Sequence, residues 1–399
     1  SASASASASA SASAAAAATA AAAAAFASRP EVFFSGALHG NERVGPTTTV
    51  EFARLLVENY ARGANTWLRR LVDTRSIWIM PNANARGYYE NVREETMPRS
   101  GQRIDPNRDF PYGVRASECM RTTAARALNH LFREHLFQLA ITFHGGMRAI
   151  SYEWGSPNHA TYSPDDGALR PLGTRMQQYA SGSYYPSRYV QPMNVAVYGV
   201  KGGMEDWAYA SSWDKTGYVK PCAPPTRDYP AYPAALTTYS GDMLRVFNIL
   251  VETADRKAPP ESTLGAVNGV LQPVGRASDG HVARNLRLAL MLTDLVQPYA
   301  AWSDVGGHCS AAALQAWWDD AVWPAAAAAG GQGQPSSASL PEYTMAWDVG
   351  GALKVDETNL FVWYEQVEAK SPLDGAKDSG VGCGGGRVVA MSGHRAAAG

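Results

Sequence analysis

The chain has 399 residues, of which 46% are hydrophobic and 18% charged, and its formal net charge is −1. This length suits one large domain with a smaller one, or two domains. The near-zero charge provides no electrostatic attraction for nucleic acid or a membrane surface, and no apolar run approaches the roughly 20 residues that span a bilayer.

The first 25 residues do not resemble natural sequence. A strict Ser-Ala alternation runs into almost pure alanine, and this composition cannot bury much apolar area. We interpret residues 1–25 as placeholders for unidentified residues, in the place of the first strands of the following domain, or as an artificial segment. They are left out of the fold prediction.

Apolar strands and helices alternate in the next part of the chain. A strand with its turn is predicted at 31–40, further strands at 75–80 and 139–143, and helices at 47–60 and 119–137. Strands separated by helices predict an α/β fold with a mixed, mainly parallel sheet and helices on both faces.

Potential metal ligands follow two of these strands. His39 and Glu42 lie in the turn after the first strand, and His144 directly follows the third. In parallel sheets, ligands bind beyond the carboxyl ends of the strands. Imidazole and carboxylate groups suit zinc, and three of them leave a fourth position open for chemistry. We therefore expect one Zn²⁺ at these residues, against the alternatives of a surface turn and a core histidine.

A glycine-containing loop is predicted at 199–207. Later in the chain, a carboxylate lies in the apolar strand predicted at 250–252. Glu252 comes directly after Ile249-Leu250-Val251. Burying a carboxylate without a partner is costly, which favours a functional role for Glu252 over that of an edge residue whose carboxylate reaches solvent.

After about residue 264 the pattern changes. Apolar positions alternate in places over 282–296 and 344–364, which is typical of strands, and 325–339 is a loop rich in alanine, glycine and serine. We predict a catalytic domain at 26–264 and a small all-β domain at 265–399.

The four cysteines are widely spaced. None forms a CxxC pair, so a structural zinc knuckle is not expected, and two disulfides or none remain open. The cysteines are Cys119, Cys222, Cys309 and Cys383.

With these residues in view, the chain resembles the M14 zinc metallocarboxypeptidases of the A/B and N/E types. Six blocks in the order of the family carry the resemblance, over roughly residues 31–264. They are 39–42 (HGNE), 81–88 (PNANARGY), 105–110 (DPNRDF), 143–146 (FHGG), Tyr198 with 202–207 (GGMEDW), and 252–260 (ETADRKAPP).

The resemblance implies an exopeptidase that binds a peptide or protein C-terminus, with Glu252 as the general base that takes a proton from water. Asn107 and Arg108 would bind the free carboxylate, because an arginine fork suits a bidentate contact. Tyr198 would cover the bound residue, and Asp105 would accept a hydrogen bond from a ligand imidazole.

A further arginine should stabilise the oxyanion that forms during hydrolysis. The resemblance places this arginine shortly before the 105–110 block. Arg99 fits that spacing best, and Arg93 and Arg103 are alternatives.

Side-chain preference depends on Glu205, which matches the position at the base of the specificity pocket and would suit a C-terminal Lys or Arg. Asp109 departs from the second asparagine of the family pattern. The alternatives are a catalytically silent structural or adhesion module, and an enzyme that removes glutamate from acidic tails. A secreted or extracellular location is expected, a cytoplasmic one stays open, and the oligomeric state is not predicted.

Overall fold

The computed structural model describes residues 29–296 except 64, 160–161, 182, 215, 238–245, 268–269 and 271–278, and the backbone of four strands between 299 and 393. The chain divides into two compact units, Ser1–Val296 and Gln297–Gly399. The candidate site lies in the first unit.

The first unit contains a six-stranded sheet. Its strands are β1 (Glu31–Ser35), β2 (Ser76–Met80), β3 (Phe137–His144), β4 (Met147–Tyr152), β5 (Val190–Pro192) and β6 (Phe247–Ala254). The order across the sheet is β2-β1-β3-β6-β4-β5. All neighbours are parallel except β4 and β6, which are antiparallel. The predicted mixed, mainly parallel sheet is confirmed, although β4 and β5 were not foreseen.

Eight α-helices are found in the described part of the first unit. They are α1 (Val44–Arg62), α2 (Thr66–Thr74), α3 (Ala85–Glu90), α4 (Thr123–Glu134), α5 (Asp166–Ser181), α6 (Met193–Ala196), α7 (Met204–Ala210) and α8 (His281–Leu295). The strands and helices predicted at 31–40, 47–60, 75–80, 119–137 and 139–143 all correspond to observed elements. The loop predicted at 199–207 is only partly correct, because α7 begins inside it at Met204.

Helix α1 illustrates how the sequence sets these elements. Its buried residues include Phe52, whose ring meets Phe34 of β1 edge-on at a centroid distance of 5.1 Å. The helix ends at Gly63, which has a left-handed conformation (φ 63°) and donates its N–H to the Asn59 carbonyl. Glycine adopts this conformation at little steric cost. Packing of α1 against β1 fixes where the intervening turn lies.

The segment 282–296 is helical, so the prediction of a strand there was wrong. Helix α8 packs against α1 and α5 and is buried over most of its length. Arg75, at the start of β2, donates to the carbonyls of Thr293 and Asp294 at 3.0 and 2.9 Å and so caps the helix C-terminus. An apolar stretch that is buried on nearly all sides has no clear period, and its leucines, alanines and arginines favour a helix.

This helix also places residues 281–295 in the same compact unit as the sheet. The first unit therefore extends to Val296, beyond the boundary predicted at residue 264.

The second unit contains two antiparallel strand pairs in its described backbone. Strand β7 (Tyr299–Val305) pairs with β8 (Met345–Gly350), and β9 (Asn359–Gln366) pairs with β10 (Gly386–Gly393). The small all-β domain stays a prediction. The loop predicted at 325–339, Cys309 and Cys383 lie outside the described residues.

Cys119 and Cys222 form a disulfide across 103 positions of the chain. Both residues are buried in the same core as Phe132 of α4 and Trp207 of α7. The bond therefore joins the segment before α4 to the segment that follows α7.

None of the helices in the described part of the chain combines the length and the apolar character that a membrane span requires.

Candidate metal centre

Three potential ligands converge beyond the carboxyl ends of β1 and β3. His39, Glu42 and His144 each offer one ligand atom, and these atoms lie within 4.8 Å of one another. All three side chains are buried, with at most 4% of their surface exposed. The convergence predicted from the two strand ends is confirmed.

The turn that carries His39 and Glu42 depends on a close backbone approach. A Cβ atom on Gly40 would lie 2.0 Å from the carbonyl carbon of Gly87, so only glycine fits between the histidine and α3. The Gly40 N–H donates to the Arg93 carbonyl at 3.1 Å. The turn is therefore held against the loop that bears Arg93.

The ligand atoms face one another. The Nδ1 atom of His39 lies 3.0 Å from both Glu42 Oε1 and His144 Nδ1, and His144 Nδ1 lies 3.1 Å from Glu42 Oε2. A neutral imidazole has one N–H, so two facing nitrogens beside a carboxylate present several lone pairs and few protons. Two imidazoles and a carboxylate fit a zinc ion.

The second nitrogen of His39 is held by Asp105. His39 Nε2 lies 3.0 Å from Asp105 Oδ1, and Arg93 donates through Nε to Oδ2 at 3.0 Å. Burial would raise the pKa of Asp105, but the contacts with His39 and Arg93 hold it well below its usual value. An ionised Asp105 fixes the His39 tautomer with Nδ1 free to bind metal, as the resemblance implies.

The second nitrogen of His144 is placed differently. His144 Nε2 is buried without a hydrogen-bond partner in the described structure and lies 3.6 Å from Glu205 Oε1. Burial would lower the pKa of His144, but Glu205 and Glu42 outweigh it and raise the pKa to about 10. The carboxylates around this ring therefore attract positive charge strongly.

Glu42 is ionised despite its burial. Its Oε1 atom accepts from Lys257 Nζ at 3.0 Å and from Arg93 at 3.4 Å, and its Oε2 atom accepts from the Gly145 N–H at 3.0 Å. Burial would raise the pKa of Glu42, but the charge of His39 and the bond to His144 lower it well below the usual value. The carboxylate is thus available as a ligand.

Glu252 stands beside this group on the neighbouring strand. It pairs with His144 in the register of β3 and β6. Its Oε2 atom is buried and has no hydrogen-bond partner in the described structure. Burial, followed by the charge of Glu42, raises the pKa of Glu252 to about 7. Such a carboxylate exchanges a proton near neutral pH, as a general base requires.

The predicted substrate residues Arg108 and Tyr198 also meet. Arg108 donates to the Tyr198 hydroxyl at 3.2 Å, and its guanidinium carbon lies 5.7 Å from the centre of the tyrosine ring. Tyr198 is 53% exposed, so its ring lies at the surface of the site. Asn107 is buried, and its amide contacts the Met204 N–H at 2.7 Å and Glu205 Oε2 at 3.3 Å.

Arg99 contacts a different loop. Its N–H donates to Asp228 at 3.0 Å, and its guanidinium lies 3.5 Å from the Arg227 carbonyl. Arg93 is the candidate that the structure brings into contact with the ligand group, through Asp105 and Glu42. Arg103, the third candidate, is exposed in the short strand Arg103–Ile104.

Glu205 is 1% exposed. Its Oε1 atom accepts from the Thr142 hydroxyl at 2.7 Å, and its Oε2 atom accepts from the Asn107 amide at 3.3 Å. The predicted base of a specificity pocket is thus a carboxylate with both oxygens bonded inside the protein.

Asp109, which departs from the family pattern, is completely buried at the start of α4. It accepts from the N–H and hydroxyl of Thr122 at 2.6 and 2.8 Å and from the N–H of Arg121 at 2.8 Å. Burial raises the pKa of Asp109 to about 6 despite these bonds. The substitution therefore anchors a helix start and leaves Asn107 and Arg108 in place.

Sequence reasoning missed Lys257 and Thr142 as neighbours of the ligands. Lys257 lies in the 252–260 block, but a lysine after a strand is usually solvated, and only the fold brings it to Glu42. Thr142 precedes His144 by two positions on β3, so both side chains point to the same face. The two-residue spacing from His144 was the feature of the sequence that could have identified Thr142 as a neighbour of the ligands.

The comparisons with known proteins agree with this geometry. The sequence profile of the Peptidase_M14 family, described as zinc carboxypeptidase, matches residues 9–235. This match covers more than half of the chain, which therefore belongs to the zinc carboxypeptidase family. The matched residues include the three candidate ligands and end before Glu252.

Similar proteins include carboxypeptidase D from Mus musculus and from Anas platyrhynchos, with 31% identity over 202 residues and 28% over 206 residues. These alignments cover 45% and 47% of this chain but 14% and 15% of the relatives. The catalytic chain of carboxypeptidase N from Rattus norvegicus is 25% identical over 224 residues, covering 45% of this chain and 48% of the relative. The chain thus spans less than half the length of these relatives.

Two solved structures are also similar. Bovine thrombin-activatable fibrinolysis inhibitor in complex with tick carboxypeptidase inhibitor has a TM-score of 0.43 at 14% identity, covering 65% of this chain and 81% of that chain. Carboxypeptidase A from Helicoverpa armigera has a TM-score of 0.41 at 17% identity, covering 66% of this chain and 62% of that chain.

Proposed function

We propose that this protein is an active zinc carboxypeptidase that removes single residues from the C-terminus of peptides or proteins. The observation that carries the proposal is the convergence of His39, Glu42 and His144 beside Glu252, whose carboxylate has a free, buried oxygen. Membership of the zinc carboxypeptidase family supports the same activity.

The three ligands would hold one zinc ion, which acts as a Lewis acid and lowers the pKa of a water toward about 7. Glu252 takes the proton from the attacking water and passes it to the leaving amine, because its pKa near 7 allows both transfers. Asp105 keeps His39 in the tautomer that binds metal through Nδ1.

Arg93 replaces Arg99 in the proposed oxyanion role. It is the arginine that contacts Glu42 and Asp105, so its charge is next to the site where the scissile carbonyl would become negative.

Arg108 and Tyr198 form the proposed clamp for the substrate C-terminus. The guanidinium fork can bind a free carboxylate with two hydrogen bonds, and the exposed Tyr198 ring can close over the bound residue. Recognition of a free carboxylate restricts hydrolysis to the last peptide bond. Asn107 supports this clamp through the contact between its carbonyl and Arg108 at 2.6 Å.

The finer part of the proposal concerns the side chain that is released. Among the described residues, the negative charge of Glu205 is what supports a preference for C-terminal Lys or Arg, while its burial and its bonds to Thr142 and Asn107 weigh against direct contact with such a side chain. A buried acid near Asn107 also disfavours release of C-terminal Glu, since like charges repel in a site of low dielectric.

The Cys119–Cys222 disulfide supports the proposal that the protein works in an oxidising compartment, which fits a secreted or extracellular location.

The proposal is tested with purified protein, metal analysis and peptides that end in Arg, Leu or Glu. We expect one zinc per chain, release of the last residue, loss of activity with 1,10-phenanthroline and recovery with added zinc. Peptides with an amidated C-terminus are the matched control and should resist cleavage. Stoichiometric zinc without turnover of any free-carboxylate peptide would instead identify a catalytically silent module.

A further inference from the structure

We propose that Glu205 is a positioning residue for the ligand His144, and that it does not form the base of a specificity pocket. This inference rests on the proposed zinc site. It assigns to the second histidine a carboxylate partner like the one that Asp105 provides for the first.

The two histidines have related surroundings that differ in the distance from Nε2 to the nearest carboxylate. Each directs Nδ1 toward the other and toward Glu42, and each has a carboxylate at Nε2. The distance is 3.0 Å from His39 to Asp105 and 3.6 Å from His144 to Glu205. The longer distance exceeds a hydrogen bond but leaves no room for a water between the two atoms.

Among the described residues, no acceptor lies within hydrogen-bonding distance of His144 Nε2. The atom is buried and without a hydrogen-bond partner in the described structure. Metal binding through Nδ1 leaves the ring proton on Nε2, and an unpaired buried N–H is costly. The Glu205 carboxylate is the group in contact with that nitrogen.

Glu205 is itself fixed from two sides. The Thr142 hydroxyl holds Oε1 at 2.7 Å, and the Asn107 amide contacts Oε2 at 3.3 Å. Thr142 lies on the same strand face as His144, so the carboxylate cannot move away from the imidazole without losing this bond. The contact with Asn107 links the metal ligand to the segment that bears the substrate residue Arg108.

The same contacts argue against a pocket base. Glu205 is 1% exposed and both of its oxygens accept bonds within the protein. With 1% of its surface exposed, the carboxylate could be reached by a substrate ammonium or guanidinium group only if the packing around it opened.

The experiment compares the full-length holoenzyme with Glu205→Gln, using competition with a chromogenic chelator to measure zinc affinity. Removing the charged partner of a ligand histidine weakens metal affinity by about 10- to 100-fold, and we expect this loss for Glu205→Gln. Asp105→Asn is the positive control. Asp206→Asn is the matched negative control, because it makes the same acid-to-amide change at the adjacent buried position, whose side chain binds only the N–H groups of Gly155 and Ser156 in the described structure.

Selectivity is measured in the same proteins as the ratio of kcat/KM for peptides ending in Arg and in Leu. We expect this ratio to stay within about twofold of the wild-type ratio, since the Glu205 carboxylate does not contact the substrate side chain. A normal zinc affinity together with a collapsed Arg-to-Leu ratio would overturn the inference and establish the pocket role. Failure of the wild-type protein to bind zinc would overturn the proposed function itself.

A measurement on the wild-type protein covers the case in which Glu205→Gln does not fold. In ¹⁵N-histidine spectra of the zinc-loaded enzyme, we expect a protonated His144 Nε2 whose N–H is shifted downfield and exchanges slowly with water. A rapidly exchanging or absent Nε2–H would contradict the proposed contact.

Discussion

Two groups of buried acids lie in the first unit, and their surroundings differ. In the metal centre, Glu42 and Asp105 contact Lys257, Arg93 and His39, and the pKa of each acid lies below its usual value. Their burial is offset by nearby positive charge.

The second group consists of Glu153, which directly follows β4, and Asp206, which lies in α7. Asp206 accepts from the N–H groups of Gly155 and Ser156, and Glu153 accepts from the Asn248 N–H. Burial raises the pKa of Asp206 to about 7 and that of Glu153 well above its usual value. Backbone donors therefore do not keep these acids ionised as the cationic side chains do in the metal centre.

Acids that contact cationic side chains have a lowered pKa and stay ionised, whereas acids that accept from backbone N–H groups have a raised pKa. Glu252 is the exception that connects the two groups, because it lies in the metal centre and yet has a raised pKa. Substitutions in each group test this division.

The largest effect is expected for Glu252→Gln. Loss of a general base lowers kcat by about 10²- to 10⁴-fold, while zinc affinity is retained because Glu252 is not a ligand. Stopped assays with the zinc-loaded variant measure both quantities. A normal kcat would mean that Glu252 is not the general base.

Arg93→Ala should follow. Removal of an oxyanion donor costs about 10²- to 10³-fold in kcat, and Arg93 also contacts Glu42 and Asp105. Arg99→Ala is the matched control, since Arg99 contacts Asp228 and Arg227, and it should alter kcat by less than about threefold. The reverse result would restore the oxyanion role to Arg99.

Arg108→Ala should raise KM for free-carboxylate peptides by about 10- to 100-fold, because a hydrogen bond to a charged group contributes about 1.5 to 3 kcal/mol. Initial rates over a range of peptide concentrations give kcat and KM separately. An unchanged KM would mean that another group binds the C-terminus.

The last prediction concerns the stability of the protein and the second group of acids. Asp206 has a pKa of about 7 in the folded protein, against about 3.9 in an unfolded chain. Between these values the folded state holds a proton that the unfolded state has lost, so the free energy of unfolding should fall as pH rises from about 4 to about 7. The slope contributed by one proton is at most about 1.4 kcal/mol per pH unit.

Urea unfolding at several pH values measures this slope, which should be smaller in Asp206→Asn. Equal slopes in the two proteins would mean that Asp206 is ionised in the folded state, like the acids of the metal centre.

The sequence predicted the sheet and the ligand triad because both follow from regular geometry. Apolar strands alternating with helices predict parallel pairing, and parallel pairing brings residues that follow different strands to one edge. The motifs that resemble the carboxypeptidase family then favoured a ligand role for His39, Glu42 and His144 over a surface turn and a core histidine.

Other features depend on contacts that have no sequence period. Arg93 and Arg99 lie in irregular chain, where nothing in the sequence indicates which guanidinium turns inward. Helix α8 is apolar on nearly every side, so periodicity could not distinguish it from a strand. Glu205 lies at the start of a short helix inside a predicted loop, and its direction toward His144 follows from the packing of α7.

The Cys119–Cys222 bond requires that the protein be produced under oxidising conditions. The loop that it closes contains His144, Tyr198 and Glu205, and closing a loop of about 100 residues removes about 4 to 5 kcal/mol of chain entropy from the unfolded state. Synthesis under reducing conditions would leave the segment that carries His144, Tyr198 and Glu205 without this covalent link. Expression in a periplasm or an endoplasmic reticulum is therefore the appropriate source of material for every assay described above.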